Sequence, residues 1–160
     1  MKGKVLIAED YEDWRDLLSG LLRRDGHEVT ATATLDEARE YVDRTKDLDL
    51  AIVDIRLVET DENNEDGMHL LAYIKKKQMF TRVIMITGHG TMETQRKAFR
   101  KFQAFDFFRK EQFDSEDFRK GFREAIEQSI LDRQAWKEKN YMAGRKFEMW
   151  QRNNKIEEGV

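Results

Sequence analysis

The chain of 160 residues contains no cysteine and no proline. Without thiols there is no disulfide framework and no thiolate metal site, so stability must come from a packed core. Without proline there is no X-Pro bond. Net charge is also scarce: 29 Lys and Arg stand against 32 Asp and Glu, a formal −3, which argues against a general nucleic-acid binder. Long apolar runs are missing too. Met1-Lys2-Gly3-Lys4 leads into an apolar stretch too short for a signal peptide or a membrane span, so a soluble, cytoplasmic protein is the expectation. What the chain has in quantity is charge of both signs, 38% of residues, which implies a heavily solvated surface.

The apolar residues fall into short runs separated by helical patterns. Val5–Ala8, Glu28–Ala33, Leu50–Val53, Val83–Ile86 and Ala104–Phe108 read as strands. Between them, Trp14, Leu17, Leu18, Leu21 and Leu22 recur at helical spacing up to Asp25-Gly26, and Leu35–Lys46 is a weaker helix. A third helix, introduced by Gly67, carries Met68, Leu70, Leu71 and Ile74. Thr91 is the expected N-cap of a fourth, and Asp114 or Ser115 of a fifth carrying Phe118, Phe122, Ile126 and Ile130. Strands that are apolar throughout are buried on both faces, so five of them alternating with helices predict a doubly wound α/β fold: a five-stranded parallel sheet with helices on both faces.

In such a sheet the functional crevice lies beyond the carboxyl ends of the strands. Four polar positions stand there: Glu9-Asp10, Asp54, Thr87 and Lys110 each follow an apolar run. Two carboxylates about 4 Å apart repel by roughly 4 kcal/mol at an effective dielectric of 20, so Glu9, Asp10 and Asp54 do not converge comfortably without a cation. Mg²⁺ suits hard oxygen ligands and keeps waters that phosphate oxygens can replace. A carboxylate can act as nucleophile toward phosphorus, Lys110 supplies an ammonium for the transferred charge, and Thr87 can donate to a phosphoryl oxygen.

These residues carry a resemblance. Val5-Leu6-Ile7-Ala8-Glu9-Asp10, Ile52-Val53-Asp54, Ile86-Thr87-Gly88-His89-Gly90 and Ala104-Phe105-Asp106-Phe107-Phe108-Arg109-Lys110 stand in the order and near the spacing of a bacterial two-component response-regulator receiver domain, which the chain resembles from about Lys4 to Leu131. The resemblance implies the flavodoxin-like receiver fold, Asp54 as phosphoacceptor, and Mg²⁺ bound by Asp10, Asp54 and the Arg56 carbonyl, with Glu9 direct or through water. It further implies that Thr87 swings toward the phosphoryl group, that Phe107 follows as an aromatic switch, and that Lys110 clamps the product. The implied partners are a histidine kinase or phosphotransfer protein and a downstream protein met on the face of the fourth helix, fifth strand and fifth helix. The protein is then no enzyme beyond assisting its own phosphorylation and dephosphorylation.

Several features depart from that pattern. Glu111 stands where the family has proline after the lysine, so a trans Lys110–Glu111 bond is expected. The segment between Asp54 and Gly67 is long and holds Glu59, Asp61, Glu62, Glu65 and Asp66; it lacks the glycine and closing glutamate of an EF-hand and reads as a solvated loop. Arg56 could reach over an acyl phosphate and slow its hydrolysis. His27, His69 and His89 show no ligand spacing, and Arg96, Lys97, Arg100 and Lys101 form a basic helix face.

Residues 1–131 are thus the receiver, and 132–160 an extension that is not an independent domain. Its composition favours helix to Gly144 and a second short helix through Arg152, with Trp136, Tyr141, Met142, Phe147, Met149 and Trp150 packing on the receiver, in a homodimer seam or on a partner. No heptad pattern is sustained over three repeats, and the length is short for a helix-turn-helix module, so direct DNA binding is not expected. Two alternatives remain: a phosphorylation-independent pseudo-receiver binding module, against which the intact polar set argues, and an aspartate-nucleophile phosphatase of the haloacid-dehalogenase kind, whose second acid is replaced by Arg56.

Overall fold

Period-two alternation within buried strands decides the layering. In a computed structural model, which describes residues 1–88 and 92–158, five strands form one sheet: β1 (Lys4–Ala8), β2 (Glu28–Thr32), β3 (Leu50–Val53), β4 (Arg82–Thr87) and β5 (Asp106–Arg109). Their order is β2-β1-β3-β4-β5, and every pair is parallel. Leu6, Ala8, Ala51, Val53, Val83 and Met85 face α2 (Leu35–Arg44), α3 (Asp66–Lys77) and α4 (Met92–Arg100). Val5, Ile7, Leu50, Ile52, Ile84 and Ile86 face α1 (Glu12–Arg24) and α5 (Ser115–Glu158). The chain goes from β1 outward to β2 and then crosses to β3 on the other side of β1, so the topological switch lies between β1 and β3.

Local chemistry sets the ends of these elements. Gly26, with φ +88, closes α1 in the left-handed region that only glycine enters freely. The Thr34 side chain accepts from Glu37 N–H to cap α2, and Asp114 Oδ1 accepts from Glu116 and Asp117 N–H to cap α5. The expected Thr91 cap, with His89 and Gly90, lies outside the described residues. β5 starts later than expected because Ala104 N–H is spent on Ala98 O, which closes the turn after α4.

The C-terminal segment differs from expectation at Gly144. α5 is one helix of 44 residues, with no break at Gly144. A lone glycine costs about 1 kcal/mol against alanine in a helix, and no other atom crowds Gly144, so nothing forces a kink. The helix stays against the body past residue 131. Arg133 ion-pairs with buried Asp49 at 2.7 Å and with Asp47 at 3.3 Å, Arg82 pairs with Asp132, and Trp136 stacks edge-on to Phe80 at 6.0 Å. Asp49 also accepts from Lys4 N–H and Ser129 Oγ. Beyond Lys137, the side chains of Tyr141, Met142, Phe147, Met149 and Trp150 are exposed rather than packed on the receiver.

Candidate functional site

At the carboxyl ends of β1 and β3 the backbone itself draws the acids together. Asp54 N–H donates to Ala8 O at 2.9 Å, and Glu9 N–H donates to Thr32 O at 3.0 Å. Arg15, one helical turn into α1, donates to both the Glu9 and Asp10 carbonyls at 2.9 Å and fixes the turn from which the carboxylates project. Ligand atoms of Glu9, Asp10 and Asp54 consequently lie within 4.8 Å of one another, with Glu9 and Asp54 fully buried.

Lys110 reaches the same point from the end of β5. Its Nζ lies 2.9 Å from Glu9 Oε2 and 3.0 Å from Asp54 Oδ2. No peptide bond among the described residues is cis, so the lysine arrives with Glu111 following in the trans form, entering a short 3₁₀ turn (Lys110–Gln112). Trp14 lies beneath it: Nζ is 5.2 Å from the indole centroid, and the indole packs edge-on against Phe113 at 5.3 Å. Thr87 is fully buried at the end of β4 and hydrogen-bonds to Asp54.

The electrostatics follow from this crowding. Burial, then the charge of Asp54, pushes Glu9 up to about 8, against the opposing pull of Lys110. Burial also raises Asp54, opposed by Lys110, Glu9 and Thr87. Burial pulls Lys110 down, but the two carboxylates outweigh it and leave the ammonium more basic than a free lysine. One ammonium thus serves two carboxylates, Glu9 and Asp54, and makes no ion pair with Asp10. Asp10 Oδ1 is buried with no hydrogen-bond partner, and Glu9 Oε2 has none beyond its ion pair. A buried carboxylate oxygen without a partner, in a group of acids whose ligand atoms lie within 4.8 Å of one another, fits a hard divalent cation.

Other expected residues have different surroundings. Phe107 is half-buried against the α2–α4 side of the core, in register with Met85. Arg56 N–H donates to Asp54 Oδ1 at 3.3 Å, but its guanidinium turns to Glu62 O at 3.4 Å along the acidic loop. The loop is ordered by local bonds: Asn64 Oδ1 accepts from Leu57 and Asp66 N–H, and Asp10 Oδ2 accepts from Glu59 N–H at 2.9 Å.

Three contributors escaped the sequence reading: Trp14 and Arg15 as supports, and Gly67 as a spacer. A Cβ at Gly67 would lie 1.9 Å from Asp54 O, so only glycine lets α3 start directly behind the acid. Trp14 registers in the sequence only as an apolar helix position; nothing there announces its approach to Lys110.

A five-stranded, doubly wound parallel sheet with a trio of acids, two of them buried, a hydroxyl and a lysine at its switch point defines the receiver class of phosphoryl-accepting domains. The family model of the response regulator receiver domain matches residues 5–123, and the chain belongs to that family of two-component signalling proteins. It is 34% identical over 106 residues to a putative NtrX-like response regulator of Rickettsia bellii, covering 66% of this chain and 21% of that protein. To the response regulator PilR of Pseudomonas aeruginosa it is 36% identical over 107 residues, 67% of this chain and 22% of that one. The chain therefore spans about a fifth of the length of these relatives. Among solved structures, NtrX from Brucella abortus in complex with ADP superposes with a TM-score of 0.71 at 34% identity, over 86% of this chain and 29% of that one. A CheY-like receiver domain protein from Methanospirillum hungatei superposes with a TM-score of 0.72 over 82% of this chain and 99% of its own; at 23% identity it attests the fold alone.

Proposed function

We propose that Asp54 accepts a phosphoryl group from the phosphohistidine of a histidine kinase or phosphotransfer protein. The observation that carries this reading is the buried Asp54 carboxylate, 3.0 Å from Lys110 Nζ and clustered with Glu9 and with Asp10, whose Oδ1 is buried without a hydrogen-bond partner. In the reaction an Asp54 oxygen bonds to phosphorus, the phosphorus–nitrogen bond of the donor breaks, and the imidazole takes a proton from solvent. Lys110 neutralises charge on the acyl phosphate, and Thr87 turns its hydroxyl from Asp54 to a phosphoryl oxygen. Mg²⁺, held by Asp10 and Asp54 with Glu9 beside them and the Arg56 carbonyl as a further ligand, would offset the negative charge that phosphate adds to the carboxylates. Hydrolysis, by water at phosphorus, returns Asp54. The chain catalyses nothing beyond these steps on itself, and it signals by protein contact in the cytoplasm.

Rearrangement of Thr87 draws Phe107 inward and alters the face of α4, β5 and α5. Arg96, Lys97 and Arg100 on α4 and Lys101 just after it are exposed, and Phe99 and Arg100 border a shallow groove, a surface suited to an acidic partner. Among the described residues no helix is long and apolar enough to cross a membrane. The deciding experiment is incubation with a small phosphodonor and Mg²⁺ followed by intact-mass measurement. Wild type should gain the mass of a phosphoryl group and Asp54→Asn should not; an unmodified wild type would favour a binding module that never accepts phosphate.

A further inference from the structure

Lys110 starts from the edge of the sheet. β5 lies two strands from β3 and three from β1, so at roughly 4.8 Å per strand the strands that carry Asp54 and Glu9 are about 10 and 14 Å away. The lysine stem passes the end of β4, where a Cβ on Gly88 would lie 3.9 Å from Lys110 Cδ. Such a stem is among the costliest side chains to order, and Glu111 offers no pyrrolidine ring to fix the backbone that follows it. The ammonium needs another support.

The contacts around it form a closed circuit. From Lys110 the chain enters the 3₁₀ turn, and Phe113 N–H returns to Lys110 O at 3.3 Å. Phe113 meets Trp14 edge-on at 5.3 Å, and the indole centroid lies 5.2 Å from Lys110 Nζ. Behind Phe113 stands Phe118 at 5.4 Å, which is fully buried and packs on Phe108 at 5.5 Å and Phe122 at 5.4 Å. The indole is thus the outermost of a row of rings rooted in the core, and it shifts only if that packing shifts. Nζ also donates to Glu9 and Asp54. An ammonium has three donors, and the electron-rich indole is a neighbour that competes with neither carboxylate.

We infer that Trp14 is a positioning residue for Lys110: with Phe113 behind it, the indole holds the ammonium beside Asp54 before a phosphoryl donor arrives. This rests on the proposed phosphorylation of Asp54 and names the group that orders its counter-charge. When the Asp54 carboxylate becomes an acyl phosphate, the anionic partner of Lys110 changes. The indole does not, so the ammonium keeps one fixed neighbour through the reaction.

Two measurements test this, the first without any phosphodonor. In a Trp136→Phe/Trp150→Phe background, Trp14 is the one tryptophan left of three. Its emission maximum should shift on Lys110→Ala and stay put on Lys146→Ala, an exposed lysine of the far helix end. An emission indifferent to Lys110→Ala overturns the contact, whether or not Asp54 accepts phosphate. In the phosphodonor assay with Mg²⁺, Trp14→Leu keeps an apolar helix former and should slow phosphorylation about tenfold, the rate equivalent of one partly desolvated cation–π contact. Trp14→Phe keeps a ring and should stay within about threefold of wild type. In a Lys110→Ala chain, Trp14→Leu should bring no further loss, because the indole acts only through the ammonium. A residue that merely supported the fold would slow both backgrounds alike; that result, or a Trp14→Leu rate equal to wild type, overturns the assignment. A wild type that takes no phosphate overturns the Asp54 reading, and the emission response then still upholds or overturns the contact.

Discussion

Lys110 is the side chain on which the charge balance of the site turns. Its ammonium touches two fully buried carboxylates, so removing it leaves both without a counter-charge. Lys110→Ala should lower the rate of Asp54 phosphorylation by about 10²-fold, the loss usual for a fixed donor at a developing charge; a rate equal to that of a surface-lysine variant in the phosphodonor assay would contradict the assignment. Sequence reasoning found this lysine at the end of its strand. It could not find Trp14, because the indole meets the ammonium only after α1 and β5 are brought together across the sheet. Gly67 makes the opposite case: it is visible in the sequence, but for another reason. Any Cβ there meets backbone atoms of Asp54 and Ile55 that cannot swing aside, so Gly67→Ala should cost more than about 2 kcal/mol in urea unfolding and slow phosphorylation as well.

Two contacts at the amino ends of the strands govern how the elements are tied together. Arg133, from α5, neutralises Asp49 at the start of β3 in a largely buried pair. Breaking such a pair from one side costs about 3–5 kcal/mol, and because Lys4 N–H and Ser129 still donate to Asp49, Arg133→Ala should fall near about 3 kcal/mol by urea denaturation. This clasp holds the helix against the body past residue 131, a feature hidden in the sequence because nothing in a linear pattern joins Asp49 to Arg133. At the start of β2, His27 accepts Gly3 N–H through Nδ1 at 2.9 Å and packs against Phe122. Burial lowers its pKa below 6.5, so the unfolded chain binds the proton more readily than the folded one. Stability should therefore fall as pH drops below 6.5. His27→Gln, which keeps an acceptor without a titrating group, should reduce that slope in unfolding experiments run across the range.

For the molecule as a whole, cation binding and folding are linked. The carboxylates converge only in the folded chain, so a cation bound there stabilises the native state by mass action, about 2.7 kcal/mol at a hundred times its dissociation constant. Mg²⁺ should raise the thermal midpoint of wild type, chelation should reverse the rise, and Asp10→Asn should blunt it in a calorimetric scan. A midpoint indifferent to Mg²⁺ would remove the metal from the proposed reaction.

The apolar runs and the polar residues at their ends determined the α/β class, the five strands and the set Glu9, Asp10, Asp54, Thr87 and Lys110, because burial on both faces and placement at a strand end are properties of a few consecutive residues. Tertiary structure alone decided which separate residues support that set. It placed the indole under the lysine, the glycine behind the acid and the guanidinium of Arg56 along the loop, and it carried α5 through Gly144. Those outcomes depend on distances between elements far apart in the chain, and a linear pattern does not encode such distances.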